Sequence, residues 1–176
     1  MAVLAEGISV VVRFDAIARL MDDDWARFVA IVPNLTLCCD NELARVGFMV
    51  PADAEAFVKT LESHGFRYVE DGKAVDLVVV DQQQGLLVPC VWVECAHYQC
   101  NEAGEGALGC RLLGGAEETF FAPEGWAFEG SLSQTFGFQP TGAREQRYRL
   151  LRNENGLDVY LDLETGREVY AGRTDD

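Results

Sequence analysis

Basic residues are scarce in this 176-residue chain, with 14 Lys and Arg against 29 Asp and Glu and a formal net charge of −15. Such a charge repels nucleic acid phosphates and anionic membrane surfaces, and it steers basic partners inward over long range. Nucleic acid and membrane are therefore disfavoured as partners. Histidine is scarcer still, with only His64 and His97. No Cys-x-x-Cys, Gly-x-Ser-x-Gly or P-loop motif occurs, which removes the usual sequence marks of a redox dithiol, an acyl-transfer nucleophile and a phosphate cradle. Long apolar runs are missing too. Strand-length runs such as Ile8–Val12 and Leu77–Val80 end at charges well short of the roughly 20 residues a membrane helix needs. Met1–Glu6 has neither the basic start nor the apolar length of a leader, so a cytoplasmic location is expected.

The acids are not gathered in a tail. Residues 1–98 carry 15 acids against 7 bases and residues 99–176 carry 14 against 7, a pattern of acidic folded surface and not of a disordered arm. The 49% hydrophobic fraction agrees, since a disordered chain would bury too little to fold. The expected class is α+β. A mixed or antiparallel sheet covered by one or two helices should occupy residues 1–98, and a β-rich antiparallel part residues 99–176, the two packed as one compact unit.

Local signals support that outline. Gly7–Phe14 is a β-branched run of strand length, with Asp15 placed as a helix N-cap. Ile17, Leu20, Met21, Trp25, Phe28 and Val32 recur near helical spacing. Asp22-Asp23-Asp24 interrupts them, as an exposed patch on one helix or as a cap that starts a second. Leu43–Val50 reads as a buried strand, and Pro51 stands where the first turn of a helix tolerates proline. Ala54, Phe57, Val58 and Leu61 follow at i, i+3, i+4 and i+7, and Gly65 ends the helix. Phe57 and Leu61 are expected to face the sheet. Beyond residue 99 the chain is punctuated by glycine, and Tyr148–Arg173 reads as a meander whose first turn carries Asn155-Gly156.

Asp40–Met49, Pro51-Ala52-Asp53, Val75–Gln82 and Pro89–Trp92 resemble a family of small, acidic, uncharacterised bacterial proteins. The likeness covers about the first hundred residues. It implies no catalytic residues. Small acidic proteins of this general kind include immunity partners of toxins, so the resemblance implies protein binding.

Three sets of residues carry possible chemistry. Cys95, His97, Cys100 and Cys110 include soft ligands that could close a tetrahedral zinc site, because Cys95 and His97 share one face of a strand. Their spacing is not that of a finger or ribbon. The expectation is that all six cysteines are reduced, metal-free and mostly buried, with no cofactor bound. Asp22, Asp23 and Asp24 form one candidate interaction patch. Glu124, Trp126 and Glu129 form another, inside a 32-residue span between Arg111 and Arg144 that holds four glutamates and no base. Trp126 there suits recognition of a basic protein, with core packing as its alternative, whereas Trp25 and Trp92 are expected in the core. The glycines of Gly104–Gly109 match Gly-x-Gly-x-x-Gly only formally, since a dinucleotide fingerprint follows a strand directly and opens a helix whereas this run follows Asn101-Glu102 in an expected loop.

The leading expectation is a non-catalytic protein that sets an acidic surface against a basic partner. A small enzyme or ligand-binding protein with a pocket between the halves is the alternative, and a zinc-stabilised structural module is a third.

Overall fold

The computed structural model describes residues 1–115, 119–136, 148–154, 157–163, 166 and 168–172. The chain forms two compact units, Met1–Phe138 and Gln139–Asp176.

In the first unit the order is β1 (Ala2–Leu4), β2 (Ile8–Arg13), α1 (Phe14–Leu20), α2 (Trp25–Ile31), β3 (Cys38–Cys39), β4 (Leu43–Phe48), α3 (Pro51–Ser63), β5 (Val69–Glu70), β6 (Lys73–Ala74), β7 (Leu77–Asp81), β8 (Gly85–Leu86), β9 (Val93–Gln99), β10 (Gly106–Leu112), β11 (Phe120–Phe121) and α4 (Leu132–Phe136). The second unit contributes β12 (Tyr148–Glu154), β13 (Leu157–Asp162) and β14 (Glu168–Gly172), an antiparallel meander. The class is α+β, as expected.

Two large sheets and the two-stranded β5-β6 hairpin build the first unit. A five-stranded antiparallel sheet runs β3-β4-β2-β7-β8, and a four-stranded one runs β11-β1-β10-β9 with β1 parallel to β11. On one side of the larger sheet, Val10, Val12, Ala44, Val46, Leu77 and Val79 meet Ile17, Phe28, Phe57 and Leu61 of the helices. On the other, Val11, Leu43, Val78 and Val80 meet Val3, Leu4, Leu108 and Cys110 of the smaller sheet. Strands covered on both faces have no polar side to show, which is why Val10–Val12 and Leu77–Val80 read as unbroken apolar runs.

The boundary expected at residues 98 and 99 falls within β9. That strand pairs with β10, and β10 pairs with β1, so residues 99–115 belong with the chain's beginning. Moving the division to Phe138 changes where the charge lies. Residues 1–138 hold 21 acids and 8 bases, while residues 139–176 hold 8 and 6, so nearly all the excess belongs to the first unit.

Several local expectations meet a specific outcome. Asp15 is not the cap of α1. Arg13 occupies that position and caps with no side-chain bond, because the helix grows directly out of β2 with the Phe14 amide given to the Glu42 carbonyl at 2.8 Å. Asp15 lies in the first turn and pairs with Arg13 at 2.5 Å. The apolar stripe after it is split into two helices. Pro51 opens α3, and Gly65 leaves it at φ +93°, its amide on the Glu62 carbonyl and the Phe66 amide on that of Leu61. Phe57 and Leu61 are buried, and Phe57 packs on Phe48 with ring centroids 5.6 Å apart.

Candidate functional site

The aspartate triplet forms the turn between α1 and α2, and all three residues are exposed. Asp22 and Asp23 hold φ of 56° and 57°, left-handed backbone that aspartate tolerates better than most side chains. Asp24 caps α2, its carboxylate accepting the Ala26 amide at 3.0 Å. Asp22 is ion-paired with Arg27. The triplet is thus a turn and a cap that also presents charge. Asp23 is in no ion pair among the described residues.

Glu124 and Glu129 are exposed in the stretch between β11 and α4. Trp126 is half-buried between them. Its ring meets Phe120 edge-on with centroids 5.9 Å apart, and its indole N–H donates to Glu6 Oε2 at 3.1 Å. The other oxygen of Glu6 accepts the Ser133 amide at 2.7 Å, near the start of α4. Trp126 therefore fastens its own loop, and the charge there is offered by the two glutamates. The aspartate triplet belongs to the helical layer on one side of the five-stranded sheet, and Trp126 packs with the apolar cluster on the other side. Trp25 and Trp92 are likewise half-buried. Trp25 stacks between Phe14 and Phe28, and Trp92 donates to the Ala74 carbonyl at 3.1 Å under the Arg13 guanidinium.

Most basic side chains of this unit are already engaged. Arg13, Arg19, Arg27, Lys59, Arg67 and Arg111 each pair with a carboxylate. Arg19 and Arg67 converge on buried Asp76, at 2.7 and 3.3 Å. By contrast Asp53, Glu62, Asp71, Glu102, Glu124 and Glu129 are exposed and belong to no ion pair among the described residues. The surface charge that remains is negative.

Arg45 is the functional-looking residue that sequence reasoning passed over. It faces the layer between the two sheets and is 3% exposed. Its guanidinium donates to Ser9 Oγ at 2.9 Å, the Glu6 carbonyl at 2.6 Å and the Thr36 carbonyl at 3.4 Å. Burial lowers its pKa, opposed by nearby Cys38, Glu6 and Cys110. A lone arginine inside the apolar run Leu43–Phe48 was its only signal. Gly47 exists to admit it, since a Cβ there would run into the guanidinium.

Of the four residues weighed as zinc ligands, only Cys95 and Cys110 come together, with Sγ atoms 3.2 Å apart on paired strands. Cys100 has the opposite parity along the strand and turns its thiol to the Tyr98 carbonyl at 3.4 Å. His97 is exposed beside Gly106. Among the described residues no three His, Cys, Asp or Glu side chains are grouped to hold a metal ion. The six cysteines are free thiols, and only Cys38 and Cys110 are buried. Burial pushes Cys38 up to about 11 from 9.0, with Arg45 pulling against it. In the close pair, Cys110 is raised and Cys95 lowered, because the buried sulfur keeps its proton and donates it to the outer one.

The formal Gly-x-Gly-x-x-Gly run is strand and turn. Gly106 and Gly109 lie in β10, where a Cβ at Gly109 would stand 2.6 Å from the Tyr98 ring and one at Gly106 would strike the Tyr98 carbonyl. These glycines make room for a tyrosine and not for a phosphate.

Compared with family models, curated proteins and solved structures, the chain matches none. No helix among the described residues is long and apolar enough to cross a membrane.

Proposed function

We propose that this protein binds a basic protein partner through the acidic surface of its first unit, without turnover. One observation carries the reading: in residues 1–138 six of the eight bases are spent in internal ion pairs and a seventh, Arg45, is buried, so the acids left exposed have almost no local counter-charge. Uncompensated surface charge raises encounter rates with an oppositely charged partner and rejects like-charged ones. The resemblance to small acidic bacterial proteins points the same way, and an immunity or antitoxin-like role, in which the acidic surface blocks a basic effector, is its most concrete form.

Affinity capture from the native host tests this, with the unaltered chain beside two variants. Asp22→Asn/Asp23→Asn/Asp24→Asn keeps a capping side chain at position 24 and removes the turn's charge. Glu124→Gln/Glu129→Gln removes the second patch and leaves Trp126 anchored. The expected result is one basic protein retained by the parent and lost with at least one variant. Retention of no basic protein, or equal retention by all three, contradicts the proposal.

A further inference from the structure

We propose that Cys95 and Cys110 are a thiol–disulfide exchange site that closes a reversible bridge across β9 and β10 on reaction with small-molecule disulfides. The pair is set by register. Strands β9 and β10 run antiparallel without a break from Val93↔Leu112 to Gln99↔Gly106, which puts Cys95 directly opposite Cys110. The Leu113 amide donates to the Trp92 carbonyl and the Cys100 amide to the Glu105 carbonyl, each at 2.8 Å, so hydrogen-bonded pairs bracket the ladder at both ends. Hydrogen-bonded and non-hydrogen-bonded pairs alternate along an antiparallel ladder, and counting inward from either end places Cys95 and Cys110 on a non-hydrogen-bonded pair. Opposed residues there have Cα atoms about 4.5 Å apart, inside the roughly 4.4–6.8 Å that a disulfide spans. Their sulfurs already touch at 3.2 Å.

Access to the two is unequal in the sense that exchange requires. Cys95 is partly exposed on a strand that is outermost in its sheet among the described residues, while Cys110 opposite it is fully buried. The Cys95 thiolate attacks one sulfur of the small disulfide RSSR, which forms a mixed disulfide and expels RS⁻, protonated to RSH. Cys110 then gives up its proton and attacks the Cys95 sulfur, expelling the second RS⁻. The sum is two protein thiols and RSSR converted to one protein disulfide and two RSH, so the protein loses two electrons and two protons and the small disulfide gains them. Arg45 acts electrostatically on Cys110 from the layer below and favours the thiolate that the second step needs.

Incubation of the folded protein with oxidised glutathione, followed by alkylation, peptide mapping and intact mass, tests the site. The expected product has lost two of its six thiols and two hydrogens of mass, contains one Cys95–Cys110 cross-link, and returns to the starting mass with dithiothreitol. Cys110→Ser should stop at the mixed disulfide on Cys95, carrying a single glutathionyl group. Cys110→Ala repeats that arm with a side chain that suits the apolar layer. Cys95→Ser should form neither the adduct nor the bridge. The proposal fails if both cysteines remain alkylatable after oxidation, if the cross-link joins other cysteines, or if Cys95→Ser loses two thiols as the parent does.

Discussion

Arg45 carries a permanent charge into the layer between two sheets and holds two carbonyls and a hydroxyl there. Arg45→Ala would leave the Glu6 and Thr36 carbonyls and Ser9 without their donor and would vacate the space beside Gly47. Removing one side of a buried polar arrangement costs about 3–5 kcal/mol. The urea midpoint should fall accordingly, and an unchanged midpoint would mean that the guanidinium is not buried. Cys38 makes a second prediction at this scale. Its thiol titrates near 11 in the folded chain and near 9.0 when exposed. Below pH 9 the thiol is protonated in both states and contributes no pH dependence; between about 9 and 11 the unfolded chain releases the proton while the folded chain retains it, so stability falls as pH rises. The loss is on the order of 2 kcal/mol across that window. Denaturation of the parent and Cys38→Ala at pH 8 and pH 10.5 should show a steeper loss in the parent; parallel losses would contradict the burial of this thiol.

Element-scale behaviour is decided at two helices and a turn. Phe57→Ala removes the ring by which α3 rests on Phe48 and should cost about 3–5 kcal/mol, read as a lower denaturation midpoint. Asp23→Gly should act in the opposite direction. Position 23 holds left-handed backbone at φ 57°, where glycine has no Cβ penalty, and stability should rise by about 0.5–1 kcal/mol, read as a higher midpoint. A fall would show that the Asp23 side chain stabilises the turn more than its backbone strains it. The position of α3 was legible because its signals are local: Pro51 at the start, four apolar residues on one face, and Gly65 at the stop. The split of α1 from α2 was half legible, since Asp22-Asp23-Asp24 marked an interruption but only the left-handed backbone at two of them decides between a patch and a break. Short strands such as β1, β3 and β11 left no periodic trace. Their existence depends on partners far along the chain, as with Val3 between Cys110 and Phe121. The Cys95–Cys110 contact was hidden for the same reason, because register is a property of two strands together.

At the scale of the whole molecule, charge and architecture coincide. The acids are spread evenly in sequence, yet the division after Phe138 assigns 21 of them with 8 bases to the unit that holds both large sheets. Spacing along the chain could not reveal this, because the boundary depends on β10 returning to pair with β1. Nor could it reveal that Trp126 is bound to Glu6, so that in the proposed binding surface the loop offers Glu124 and Glu129 and not the indole. The acidic surface as a binding surface is most directly tested by the association rate of the captured basic partner, followed against ionic strength. Steering between exposed charges is screened beyond about 8 Å at physiological salt, so association should slow by at least about tenfold between 50 and 500 mM salt while dissociation changes less. The slope should be shallower for Asp22→Asn/Asp23→Asn/Asp24→Asn or for Glu124→Gln/Glu129→Gln. An association rate independent of salt, or equal salt slopes for the parent and both variants, would contradict the account.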